Sequence, residues 1–187
     1  MGPAPGMLET LTLDEPVSET ILRDLRAIGV KLKYVLLPSA SEEQALKELR
    51  NWDLWGPLLL CLVLSIMLSL RAAKDQASVA FAAVFVIVWC GAFVVTLNAQ
   101  LLGGKISVFQ SVCVLGYCIF PLVVSALLCQ LWSNPVWKGI VVSLGFMWAT
   151  RASSVFMGQL VSTERRLLAT YPVLLFYIVI AWMIFIS

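Results

Sequence analysis

The sequence predicts an all-α, polytopic membrane protein: five transmembrane helices behind a short cytosolic N-terminal amphipathic region. Three observations carry that class. Residues 57–187 hold only two acidic side chains, Asp75 and Glu164. The apolar residues between the scarce charges form blocks of roughly twenty, the length a helix needs to cross about 30 Å of hydrocarbon. The whole chain is 60% hydrophobic, with mean hydropathy +0.92 and 13% charged residues; a soluble domain keeps about a quarter charged. Nine of the eleven Asp and Glu residues lie at or before Asp53. The chain therefore divides into a hydrophilic head, 1–56, and a membrane body, 57–187.

Within the head, residues 1–16 are rich in Pro and Gly and read as disordered. From 17 to 56 the pattern becomes amphipathic. Val17, Ile21, Leu25, Ile28, Leu32, Val35 and Leu36 recur at three- and four-residue steps and form one helical stripe. Arg23, Asp24, Arg26, Lys31 and Lys33 fall mostly off it, and Pro38 stops the helix. The stripe must bury against something: the membrane surface, the body of this protein or a partner helix. Ser41-Glu42-Glu43-Gln44 reads as a capping box for a short helix to about Arg50.

The body reads as spans at about 57–73, 77–97, 106–131, 139–161 and 167–186. Short connections make successive spans antiparallel neighbours. Backbone polar groups find no water in lipid, so helices rather than an open sheet must cross. The first span is short and needs Arg71 and Lys74 to reach outward. Pro121 removes one backbone donor from the third span and is expected to kink it. Gly91 and Gly116 permit close helix contacts, and Gly145, Ala149 and Ser153 form a small-residue stripe. Trp52, Trp55, Trp132 and Trp137 sit where interfacial rings belong; Trp89 and Trp148 read as packing groups. The Lys/Arg bias is five against three for five spans and equally for four, so charge alone leaves that choice open.

Composition also excludes chemistry. The net charge of +2, with no basic cluster, does not suit nucleic acid. There is no histidine and no span contains an acid, which removes imidazole acid–base catalysis, a Ser-His pair and His metal sites. No phosphate-binding glycine loop occurs. Cys61, Cys90, Cys113, Cys118 and Cys129 all fall in apolar runs and read as packing thiols. No catalytic, cofactor-binding or metal-ligating residue is expected. Arg151 is the one formal charge deep in an expected span, at a burial cost from about 2.5 to above 10 kcal/mol. Its functional reading is a substrate or lipid-phosphate contact. The plainer readings are snorkelling, stacking on Trp148, or hydrogen bonds to Gln110 or Gln130.

Three motifs then stand in order. Asp53-Leu54-Trp55-Gly56-Pro57 opens the first span, Leu101-Leu102-Gly103-Gly104-Lys105-Ile106 follows the second, and Gly116-Tyr117-Cys118-Ile119-Phe120-Pro121 lies in the third. They resemble the Asp-Leu-x-Gly-Pro, Leu-x-x-Gly-Lys and Gly-Tyr-x-x-x-Pro signatures of the Yip domain family, the Ypt/Rab-interacting membrane proteins. The segments Asn51–Pro57, Val84–Trp89, Tyr171–Tyr177 and Ser18–Leu25 are similar to one branch of that family; Arg151 departs from the apolar or small residues expected at its place. The resemblance implies five spans, a cytosolic N-terminus, a lumenal C-terminus and residence in the Golgi or early secretory pathway. It also implies association with Rab-type GTPases and other Yip family membrane proteins, in vesicle-mediated transport and Golgi organisation. Membrane lipids are partners by construction. The rivals are a lipid or small-solute transporter working through Arg151, with Pro121, Gln110 and Gln130, and a membrane-shaping protein without a specific ligand.

Overall fold

The computed structural model describes residues 17–36, 54–73, 75–104, 107–132, 134–160 and 166–187. Among them every regular element is an α-helix: α1 (Val17–Leu36), α2 (Trp55–Arg71), α3 (Ala77–Leu101), α4 (Val108–Cys118), α5 (Phe120–Leu131), α6 (Pro135–Leu160) and α7 (Arg166–Ile186). The expectations for 1–16, the capping box at Ser41–Gln44, Trp52, Lys74 and Glu164 fall outside the described residues.

Three described stretches are long and apolar enough to cross a membrane: Ala77–Leu101, Val108–Leu131 and Leu167–Ile186. The helix α2 is also apolar but has 17 residues, about 26 Å. The fourth long helix, α6, has 26 residues and carries Arg151.

The third apolar stretch organises the others. Its first half, α4, is packed on by α1, α2, α3 and α6, and every residue from Ser111 to Cys118 is buried. A helix that is apolar around its whole circumference belongs in such a place. Its second half, α5, lies between α2 and α6 and leaves Val124, Leu127, Leu128 and Leu131 exposed. The helix breaks between the halves at Ile119, two residues before Pro121. Proline cannot donate to the carbonyl four residues back, and its ring crowds that turn. The expected kink is thus where the stretch changes from a central to a peripheral path.

Side chains hydrogen-bond to helix carbonyls, and in two cases, those of Asn98 and Arg71, they replace a lost or terminal backbone bond. Pro172 lies inside α7, so the Leu168 carbonyl lacks its ordinary donor; the Asn98 side-chain amide donates to it at 3.0 Å. The Tyr177 hydroxyl donates to the Leu115 carbonyl at 3.2 Å, just ahead of the kink. The Ser125 hydroxyl lies 2.9 Å from the Pro121 carbonyl and 3.0 Å from that of Val141. At the far end, Arg71 does not simply reach outward. Its guanidinium donates to the Cys129 carbonyl at 2.8 Å, one of the four that the end of α5 leaves without a helical donor.

Three sequence expectations are corrected. Trp89 and Trp148 face outward rather than packing inside, with Trp148 51% exposed; each lies beside the buried stripe of its helix, next to buried Val88 and Ala149. Cys90 is likewise exposed, although the other four thiols are buried. Lys31, assigned to the polar side of the head helix, is only 7% exposed. It stands three residues beyond Ile28 and next to Leu32, so it shares the face they bury.

Candidate functional site

The first and third motifs meet in one contact between α2 and α4. Gly56 and Pro57 occupy the first turn of α2 and are buried. Proline is tolerated there because first-turn N–H groups have no helical acceptor. Gly116 and Tyr117 lie on α4, Tyr117 at 1% exposure. The contact is reciprocal. A Cβ at Gly116 would stand 2.5 Å from the Cβ of Pro57 and 3.2 Å from its Cα. A Cβ at Gly56 would run into the Tyr117 phenol. Each glycine therefore makes room for a ring of the other motif, and backbone atoms set the separation.

The head helix closes this junction. Ile28 and Lys31 are buried, and Leu32 is half-buried against the same core. The Lys31 ammonium stands 5.8 Å from the centre of the Tyr117 ring, within cation–π range. The same aromatic side chain thus touches the α2 entry and a cation of the head. The helix α4 starts eight residues before Gly116, so it runs about 12 Å past the α2 entry. The helix α1 packs against α4 and meets it at Tyr117, level with the α2 entry.

The remaining site residues are dispersed. Leu54 precedes α2, and Trp55 at its first position is 64% exposed. Asp53 lies outside the described residues, as does Lys105. The turn after α3 contains Gly103 at φ 86°, a conformation that glycine adopts without penalty. Gly104 follows, its N–H donating to the Ala99 carbonyl at 2.9 Å. This turn precedes α4, at the opposite end of that helix from Gly116. Pro121 is buried beneath the contact between α5 and α6, where a Cβ at Gly145 would meet the Ser125 hydroxyl and stand 3.0 Å from the Pro121 carbonyl. The stripe Gly145, Ala149 and Ser153 is buried within the chain.

Arg151 joins none of these groups. It is exposed on the outer side of α6, sixteen residues from Pro135 and so about 24 Å along the helix. Among the described residues it makes no hydrogen bond, ion pair or ring contact, so neither stacking on Trp148 nor a bond to Gln110 or Gln130 accounts for it. Among the described residues no group of three metal-ligating side chains converges.

Sequence reasoning named both motifs but missed three of the groups that hold or surround them: Lys31, Ser125 and the Tyr177 hydroxyl. Only Lys31 left a trace in the sequence, its i+3 spacing from Ile28.

Comparison with known proteins agrees with the motif pattern. The Yip1 domain family model matches residues 33–183. A Dictyostelium discoideum protein named Protein YIPF6 homolog is 54% identical over 175 residues, covering 92% of this chain and 94% of the relative. Human Protein YIPF6 is 48% identical over 185 residues, covering 94% of this chain and 77% of the relative. Protein YIP4b of Arabidopsis thaliana is 43% identical over 173 residues. No solved structure matches. The chain, with its paired glycine motifs joined across α2 and α4, is a member of the Yip1 domain family and is strongly similar to YIPF6 proteins.

Proposed function

We propose that this protein is a non-enzymatic membrane protein of the Golgi and early secretory pathway. It supports vesicle-mediated transport and Golgi organisation by associating with Rab-type GTPases and other Yip family members. The body crosses the membrane five times, at α2, α3, α4–α5, α6 and α7, with the N-terminus cytosolic and the C-terminus lumenal. The observation that carries the reading is the docking of α1 on the motif junction through Ile28, Lys31 and Tyr117. A head held in fixed register on a membrane body can present a recognition surface next to the bilayer, where a lipid-anchored GTPase resides. Family membership supports this reading, as does the lack of histidine and of any acid within the expected spans.

The transporter rival gains nothing from Arg151, which sits on the outside of α6 rather than along an internal path. Capture of prenylated Rab-type GTPases by the full-length protein, against a variant lacking residues 17–36 and against Lys31→Glu, tests the proposal. Weakened capture by both variants is expected. Undiminished capture by both would remove the head from the recruiting role.

A further inference from the structure

We infer that the head helix α1 is also a membrane-surface element, whose undocked side rests on an anionic leaflet. The docked face fixes the height. Lys31 meets the body at Tyr117, whose ring abuts Gly56 in the first turn of α2, and Ile28 and Leu32 pack on the same core. That turn is where the chain passes from polar Asn51 and Asp53 into an apolar helix. The helix α1 is therefore held at headgroup level rather than out in solvent.

What it exposes there is mixed in a telling way. Leu22 and Leu25 are 62% and 50% exposed, Leu25 at the border of the docked face, three residues before Ile28 and seven before Leu32. Gly29, Arg26 and Lys33 are exposed too and stand seven, four and eleven residues from Leu22, which puts them on the same side of the helix. Two leucines flanked by cations, around a residue with no side chain, form a shallow apolar strip with a basic border. Exposed Arg23 adds to the positive side, and among residues 22–33 the only acid is Asp24. An amphipathic helix of this kind lies in the interface plane, with leucines entering the acyl boundary and cations meeting lipid phosphates. A protein partner is the competing occupant; the basic border and the fixed height at the bilayer favour lipid. The inference rests on the proposed placement of the head at a membrane surface, and not on recruitment of a GTPase.

The test uses the full-length protein carrying a photoreactive benzoylphenylalanine at Leu25. It is reconstituted into phosphatidylcholine vesicles, or into an equal mixture of phosphatidylcholine and phosphatidylserine, with no other protein present. The same label at Trp55, at the α2 entry, reports correct insertion by forming lipid adducts in both vesicles. Position 25 is expected to form lipid adducts that increase with phosphatidylserine. These should fall by roughly fivefold or more in Arg26→Gln/Lys33→Gln, the scale of one or two interfacial cations. Adducts at position 25 confined to protein, or lipid adducts indifferent to phosphatidylserine and to both substitutions, would overturn the inference. Because no GTPase is present, either result leaves the recruiting proposal to its own experiment.

Discussion

The two halves of the third apolar stretch make the instructive contrast. They share one run of sequence and comparable apolar character, yet α4 from Ser111 to Cys118 is buried on every side and α5 is exposed along one. Around α4, close approach is obtained by removing side chains, at Gly56 and Gly116. Around α5 it is obtained partly by adding hydrogen bonds, from Arg71 to the Cys129 carbonyl and from Ser125 to carbonyls of its own and the neighbouring helix. Contacts of the first kind tolerate no extra atom, because the colliding partner is backbone or a ring with nowhere to go. Contacts of the second kind lose a bond when altered but need no rearrangement of helices.

If that distinction is right, the largest effect belongs to Gly116→Val. Its first added carbon would already stand 2.5 Å from Pro57, and overpacking a tight site costs about 1–3 kcal/mol or more. Thermal unfolding of the purified protein in detergent should show a drop of many degrees or no folded protein. A near-parental transition would show that α2 and α4 can separate freely.

Arg71→Met should come next. It removes a charge-assisted bond worth about 1.5–3 kcal/mol, so the same measurement should show a clear but smaller loss with the fold retained. Asn98→Leu is expected to cost about 1 kcal/mol, since the Leu168 carbonyl facing Pro172 would lose its donor. It should also raise hydrogen exchange in the first turns of α7. Protection unchanged there would mean that another group serves that carbonyl.

Lys31→Met should have a smaller net effect, below about 1 kcal/mol, because the cation–π contact lies at the edge of its range, losing it is offset by relief of a buried cation's desolvation, and the methylene stem still covers Tyr117. Its signature is local: faster exchange in α1 with the rest of the bundle unmoved. Arg151→Leu should change stability least, because the side chain makes no bond among the described residues. A large destabilisation would reveal a contact with a group outside them.

Much of the helical layout was legible because each apolar block stands between scarce charges, as Asp75 and Glu164 show. The kink at Pro121 was legible from a missing donor, and the head stripe in part from spacing: Ile28 and Leu32 bury, while Leu25 on the same stripe is 50% exposed. The motif junction was half legible: Gly56-Pro57 and Gly116-Tyr117 could be named, but nothing in their spacing says that each glycine faces the other motif's ring. Lys31, Trp89 and Trp148 were misplaced for one reason. In a membrane body, polarity does not sort inside from outside, because lipid accepts an exposed tryptophan as readily as a core does and a cation can be buried against a ring.

The sequence by itself determined the chemistry that is open to this chain, the apolar helices and the family, since composition, period and local motifs depend only on order along the chain. The tertiary structure alone decided that α4 is the hub, that α1 docks on it at Tyr117, and that Arg151 faces outward. Those outcomes depend on which helix faces meet, and van der Waals contact between glycines and rings distant in sequence selects among arrangements that hydropathy leaves equivalent.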